Sequence, residues 1–413
     1  MLMNRLNLLT NMKPIPYGKQ FISDEDIEAV ISTLKGEYLT QGPTIAAFEK
    51  AFAEYVGAKY AIALANGTAA LHLSALALGV KPGDKVITTP ITFAASANCV
   101  RYCGGEVVFA DIDPDTFLLD PIQVRQLLEA APKGTYAGII PVDFAGRPVN
   151  IEAFRKLADE FGCWIIEDAC HAPGAWIKDS KGKTIISGNG DYADLAIYSF
   201  HPVKHIATGE GGMITTNNKE LYDRIMMLRT HGITRDQQKF SNSIEFAAGT
   251  PEHGGQYPGW YMEMQELGYN YRITDFQAAL GITQLKVADK GLVRRKAIAK
   301  KYDEAFNGHH AIVSPQLELK GDKQFSHAYH LYVIRTPQRL ALYNYLRTHQ
   351  IFAQIHYIPA HLIPYYRSFG WKEGDMPHAE KYYQECLSLP MYPSMSDEEH
   401  QYVIETILQF YKS

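Results

Sequence analysis

The sequence predicts an α/β fold, with a mainly parallel mixed sheet between helices and a smaller α+β domain after it. Three observations carry that expectation. Short apolar runs alternate with amphipathic stretches through the first half of the chain, turn residues separate them, and the rhythm changes after residue 190. Strand–helix alternation gives a parallel sheet covered on both faces, because each parallel crossover needs about a helix of chain.

Apolar runs at 61–64, 85–89, 107–110, 138–142 and 164–167 read as strands. Periodic stretches at 68–78, 94–103, 121–131 and 151–161 read as helices between them. Lys81-Pro82-Gly83-Asp84, Gly104-Gly105 and Asp113-Pro114-Asp115 supply the turns. Further on, 194–199 and 212–215 read as strands, and 219–229 as a helix capped by Asn217 or Asn218. Residues 235–262 are polar and rich in Gly, Gln and aromatics, so they read as a functional or flexible loop. A long helical pattern over 274–306, broken near 289–291, carries the domain change. Residues 13–285 form the large domain, whose first helix is free to pack on the small one, and 286–413 the small domain. That tail is expected to have helices at 337–350 and 396–411 and strands at 329–334 and 353–356.

The chain has 413 residues, 40 Lys plus Arg and 45 Asp plus Glu, for a net charge of -5. No basic excess exists to neutralise a phosphate backbone, and no charge run reads as a polybasic membrane patch, which argues against nucleic-acid and membrane partners. The five Cys (99, 103, 163, 170, 386) include no C-x-x-C pair and read as reduced, buried thiols of a cytoplasmic protein. Residues 1–12 lack a continuous apolar core and a small-residue cleavage site, so no signal peptide is expected. The most apolar window, 60–80, is interrupted by Asn66, Gly67, Thr68, His72 and Ser74 and is no membrane span.

Four local features carry chemistry. Asn66-Gly67-Thr68-Ala69-Ala70 joins a strand to a helix, where unpaired N–H groups can hold a phosphate or simply make a tight turn. Glu167-Asp168-Ala169-Cys170-His171 puts an acid at the C-terminal end of a buried strand, as a partner for a protonated ring nitrogen, a helix cap or a structural ion pair. Ser199-Phe200-His201-Pro202-Val203-Lys204 ends in a lysine within an uncharged stretch, either a desolvated nucleophile or a surface side chain reaching water. His201 and His205 are four apart, but Pro202 spoils a helix there and no third ligand is evident, so no metal is expected. Gly268-Tyr269-Asn270-Tyr271-Arg272 opens the long helix as a ligand or subunit contact, or as an ordinary helix entry. Together, a phosphate cradle, a ring-nitrogen acid and a desolvated lysine are the parts that hold pyridoxal phosphate.

With Leu39-Thr40-Gln41-Gly42-Pro43, Thr89-Pro90-Ile91-Thr92-Phe93, Gly209-Glu210-Gly211-Gly212 and Arg229-Thr230-His231-Gly232 added, the chain resembles the DegT/DnrJ/EryC1/StrS nucleotide-sugar aminotransferases from about residue 14 to its end. The segments 260–274 and 354–357 resemble the pseudaminic acid pathway branch most. The resemblance implies a fold-type I, aspartate aminotransferase-like transferase that uses pyridoxal phosphate, with pyridoxamine phosphate as its other form. It implies transfer of an amino group from L-glutamate to C4 of a UDP-linked 4-keto-6-deoxy-N-acetylhexosamine, and a homodimer with a shared active site. The alternatives are another nucleotide 3- or 4-keto-6-deoxy sugar, a same-fold sugar dehydratase, which would carry His in place of Lys204, and a non-catalytic nucleotide-sugar-binding protein. A nicotinamide dehydrogenase is disfavoured, because no G-x-G-x-x-G follows the first strand.

Residue by residue, the resemblance implies that Lys204 is the Schiff-base lysine and Asp168 the acid under the pyridine nitrogen. His171 would lie near the phenolic oxygen, with Cys170 standing where Ala is common. Phe93 would pack on the ring. Gly67, Thr68, Ala69 and Ser199 would hold the phosphate, and Asn270 would reach the cofactor of a neighbouring subunit. Tyr17, Glu37, Tyr38, Leu39, Thr40, Gln354, His356 and Tyr357 would meet the nucleotide sugar.

Overall fold

The computed structural model describes residues 13–251, 254–315 and 324–412. The first twelve residues, where no signal peptide is expected, lie outside the described residues. The central sheet has seven strands in the order Tyr60–Leu64, Gly212–Thr216, Leu195–Ser199, Trp164–Asp168, Tyr136–Ile140, Lys85–Thr88, Glu106–Phe109. Gly212–Thr216 runs antiparallel to both neighbours, and the other pairings are parallel. Ile62, Ile87, Ile139, Ile165 and Ile197 are fully buried, which is why these strands read as unbroken apolar runs rather than alternating ones.

The helices between them follow their end signals. Asn66, Asp120, Asn150 and Asn218 cap Gly67–Ala77, Pro121–Glu129, Ile151–Phe161 and Lys219–Leu228 with side-chain oxygens, each accepting backbone N–H groups of the first turn. Gly162 closes the third in the left-handed region, at φ 79°. The smaller C-terminal elements, with Ile15, build a second apolar cluster that includes Ile298, Tyr302, Tyr332, Leu342, Val403 and Ile407.

Four sequence expectations are corrected. The break in the 274–306 pattern falls at Val287, between Asp275–Lys286 and Ala288–Phe306. Gly291 lies inside the second helix, where one glycine costs only about 1 kcal/mol. No strand forms over 353–356. The strand is Ile351–Phe352, paired with Ile15–Pro16, and Gln354 makes only an isolated bridge to Ser388. The first described helix, Asp24–Leu34, lies on Asp275–Lys286 through Thr283 and Gln284, which donate to Asp26, and among the described residues it makes no comparable contact with the C-terminal elements. A three-stranded sheet of Phe325–Ser326, Trp176–Lys178 and Thr184–Ile186 was not expected, because strands this short leave no period to read.

One buried ion pair ties the layers together. Arg229 Nη1 donates to Glu49 Oε1 at 2.6 Å and to the Ala63 carbonyl at 2.8 Å, and the Ala63 N–H donates back to Glu49 Oε1 at 2.9 Å. Arg229→Met strands a buried carboxylate and is expected to cost about 3–5 kcal/mol. Adding Glu49→Leu should recover a large part of that loss in urea unfolding of the double variant.

Candidate active site

The C-terminal ends of the parallel strands open into a cavity of about 1100 Å³. Ligands of open α/β sheets bind outside these ends. Asn66–Ala69, Thr92, Phe93 and Ser96 form one wall, and Asp168, Cys170, His171, Ser199 and Lys204 another. Tyr17 and Gln354–Tyr357 close the third side.

Asp168 ends its strand and is buried. Ser96 Oγ donates to Asp168 Oδ2 at 2.6 Å, and the Cys170 N–H donates to Oδ1 at 3.2 Å, so both oxygens are held in place. Lys204 sits on the turn after Leu195–Ser199, where its own N–H donates to the His201 carbonyl at 2.8 Å. Its Nζ is 3.4 Å from His330 Nε2. Burial lowers the Lys204 pKa, with Cys170 and Asp168 opposing and Arg295 adding to the fall. A lowered pKa leaves more uncharged amine, the form that attacks a carbonyl.

The Ala145 N–H donates to His171 Nδ1 at 3.2 Å, which places the His171 proton on Nε2, 3.4 Å from the Tyr357 hydroxyl. Burial first, then the charge of Lys204, hold His171 well below the usual histidine range. His356 Nδ1 lies 2.9 Å from Ser388 Oγ, and burial with Lys204 lowers its pKa to about 3. Both rings are neutral near pH 7.

The helix start is partly spent on its own cap. Asn66 Oδ1 accepts from the Ala69 N–H at 2.8 Å, so Ala69 contributes wall rather than a free donor. Among the described residues, the N–H groups of Gly67 and Thr68 have no protein acceptor. A Cβ on Gly67 would stand 3.0 Å from Ser199 Cβ, and a Cβ on Gly212 would stand 2.4 Å from the Asn66 carbonyl oxygen. Gly212→Ala must therefore push its strand off the helix start. We expect at least a tenfold weaker hold on a phosphate ligand there, read by titration, and a lower melting temperature.

The structure brings together Lys204, Asp168, His171, Ser199, Gly67, Thr68, Ala69, Phe93, Tyr17, Gln354, His356 and Tyr357. Phe93 is 63% exposed, an apolar ring left uncovered on the cavity wall. Five expected site residues lie elsewhere. Glu37, Tyr38, Leu39 and Thr40 are exposed, and their turn docks on the helix Asp275–Lys286: Thr40 bridges Thr274 and the Asp275 N–H donates to the Leu39 carbonyl. Asn270 is exposed too, bridged to Thr230. His201 is exposed and His205 Nε2 lies 3.0 Å from the Ala328 carbonyl; among the described residues no group of three or more His, Cys, Asp or Glu is placed to hold a metal ion. Sequence reasoning missed Ser96, His330, His72 and Tyr102; Tyr271, within the segment expected to contact ligand or subunit, joins His72 and Tyr102 on one wall, with His72 Nδ1 3.2 Å from its hydroxyl.

These residues fit a flat aromatic aldehyde bearing a phosphate. A buried carboxylate with both oxygens oriented, a desolvated amine and two unspent N–H groups line one cavity. No helix among the described residues is long and apolar enough to cross a membrane.

Comparison with known proteins agrees with that chemistry. The family model described as the DegT/DnrJ/EryC1/StrS aminotransferase family matches residues 20–408. An uncharacterized protein of Methanocaldococcus jannaschii is 40% identical over 93% of this chain and 94% of its own length. The UDP-4-amino-4,6-dideoxy-N-acetyl-beta-L-altrosamine transaminase of Campylobacter jejuni is 36% identical over 95% of this chain and 96% of its own. Among solved structures, the PLP-form of a putative sugar aminotransferase, Spr1654, from Streptococcus pneumoniae is similar, with a TM-score of 0.82 and 28% identity, covering 97% of this chain and 99% of that one.

Proposed function

The chain belongs to the DegT/DnrJ/EryC1/StrS aminotransferase family, and from that premise we propose that it moves the amino group of L-glutamate to C4 of a UDP-linked 4-keto-6-deoxy-N-acetylhexosamine, in a pathway of the pseudaminic acid type. It is a sugar aminotransferase of the α/β fold that this family shares, and its cofactor is pyridoxal phosphate. One observation carries the chemistry: the Lys204 amine and the Asp168 carboxylate line one cavity beside an open helix start. The likeness to the UDP-sugar transaminase supports the substrate.

Bound there, pyridoxal phosphate supplies the electron sink and carries the amino group between the two half-reactions. The Gly67 and Thr68 N–H groups and Ser199 Oγ would hold its phosphate. Asp168, fixed by Ser96 and the Cys170 N–H, would face the ring nitrogen and keep its proton there. Phe93 would cover one face of the ring, and the His171 Nε2–H would donate toward the phenolic oxygen. Lys204 would hold the aldehyde carbon at rest and move the proton once displaced. Tyr17, Gln354, His356 and Tyr357 would orient the sugar and keep water from the reacting carbon. Glu37–Thr40 and Asn270, exposed and outside this cavity, would serve the site of a second copy in a homodimer.

The test is a single turnover of the pyridoxamine-loaded protein with a panel of keto-sugar nucleotides. One UDP-linked 4-keto-6-deoxy-N-acetylhexosamine should gain nitrogen by mass, at C4 by NMR. Amination at C3, or loss of a sugar hydroxyl with no nitrogen gained, would overturn the assignment. Mixing inactive Lys204→Ala and Asn270→Ala chains should restore about a quarter of the activity if the site is shared, and none if each chain works alone.

A further inference from the structure

His330 stands outside every role assigned above, yet its ring meets the Lys204 amine. It comes from the short segment between Phe325–Ser326 and Tyr332–Arg335, distant in sequence from the rest of the site. That segment is clamped from two sides. The Ala328 and Leu331 N–H groups donate to the carbonyls of Gly146 and Ala145, and Arg295 Nη1 donates to the carbonyls of Tyr329 at 3.1 Å, His330 at 3.3 Å and Met391 at 3.1 Å. Arg295 is buried, and an anchor of this kind leaves the imidazole little freedom.

The ring's surroundings decide its state. His330 is buried 3.4 Å from Lys204 Nζ through Nε2, its centroid is 4.2 Å from that of His171 and 5.7 Å from that of His205, and its Nδ1 has no hydrogen-bond partner among the described residues. Among the described residues, the charged and titratable groups that act on it most are Lys204, His171, His205 and Arg295, none of them an acid. Burial first and then the nearby cations hold it neutral. A neutral imidazole with its proton on Nδ1 presents a lone pair at Nε2, and the Lys204 amine is the donor in reach.

We propose that His330 is a positioning residue that accepts a hydrogen bond from the Lys204 amine and aims it into the cavity. The proposal rests on the reading of Lys204 as the cofactor-binding lysine. His330 touches no reacting atom of the substrate and acts through Lys204. As an acceptor it favours the protonated amine, against the burial that disfavours it. Its removal should leave the amine easier to deprotonate and less well aimed.

The test compares His330→Leu with His330→Gln in the full chain, since Gln keeps an acceptor oxygen. In protein stripped of cofactor, the pH dependence of Lys204 labelling by an amine-reactive reagent, read by mass spectrometry, gives the amine's titration midpoint. Loss of the acceptor should move that midpoint down by about one unit in the Leu variant, while Gln stays within about 0.3 of the parent. In cofactor-loaded protein, the pH midpoint of the visible absorbance band should move the same way, and kcat should fall about tenfold with KM for glutamate changed less than twofold. Identical labelling and absorbance midpoints in the parent and His330→Leu would overturn the proposal. A parent that binds no pyridoxal phosphate at Lys204, while the labelling midpoints still differ, would instead count against the reading of Lys204 and leave its contact with His330 standing.

Discussion

Lys204→Ala is expected to lower transamination by about 10⁴-fold or more, because it removes both the group that holds the cofactor's carbonyl carbon and the base that moves the proton. The visible absorbance of the loaded protein should vanish with it. The fold should survive, because Lys204 lies on a turn and its backbone N–H bond to the His201 carbonyl does not depend on the side chain. A melting temperature within about 3 °C of the parent would separate lost chemistry from lost structure. Lys204→Arg should be nearly as inactive, because a guanidinium stays charged and cannot attack a carbonyl. Retention of more than a tenth of the parent activity in either variant would exclude Lys204 as the nucleophile. A small exogenous amine should restore part of the activity to the Ala variant but not to the Arg variant, whose longer side chain fills the space.

Lys204 and Asp168 are legible in the sequence because of parallel-sheet geometry. Buried parallel strands are written as apolar runs, and the residues just past their ends meet at one edge. Asp168, Ser199 and the helix start at Gly67 each follow such a run, so one reading of the strands placed all three together. Ser96 and His330 obey no such rule. Ser96 sits within a helix and reaches Asp168 only because Ala95–Tyr102 starts beside the strand end. His330 comes from a segment whose position is set by carbonyls that Arg295 gathers from 329, 330 and 391. Tertiary packing alone makes those contacts, and no local period encodes it. The same cause explains the misplaced strand at 353–356: packing places Gln354, Ile355 and His356 on the cavity wall instead of in a sheet. The turn at Glu37–Thr40 carried a family pattern, but a motif states what a segment resembles and not which chain's cavity it lines.

Behind Asp168 lie two more carboxyls whose proton count should govern stability. Asp143 and Glu167 are buried against each other beneath the site, and the Val149 N–H donates to Asp143 Oδ1 at 2.8 Å. Burial raises Asp143 from its ordinary 3.8 to about 7, and burial with the charge of Asp143 raises Glu167 well above its ordinary value. Two carboxylates this close cannot both ionise cheaply, so the pair holds a proton at neutral pH and adds one negative charge rather than two next to Asp168. The sign follows from proton counts. Between about 4 and 7 the folded chain binds more protons at Asp143 than the unfolded chain does, so stability falls as pH rises through that window. The contribution is complete below the unfolded value and is lost as pH passes the folded one. Cofactor-free protein should therefore lose unfolding free energy in urea between pH 5 and pH 7. Asp143→Asn, which keeps the acceptor for Val149 and can donate to Glu167, should flatten that dependence and be the more stable protein at pH 8. Parallel curves for parent and variant would mean that the pair is ionised throughout and that no shared proton lets three acids sit under a single cofactor site.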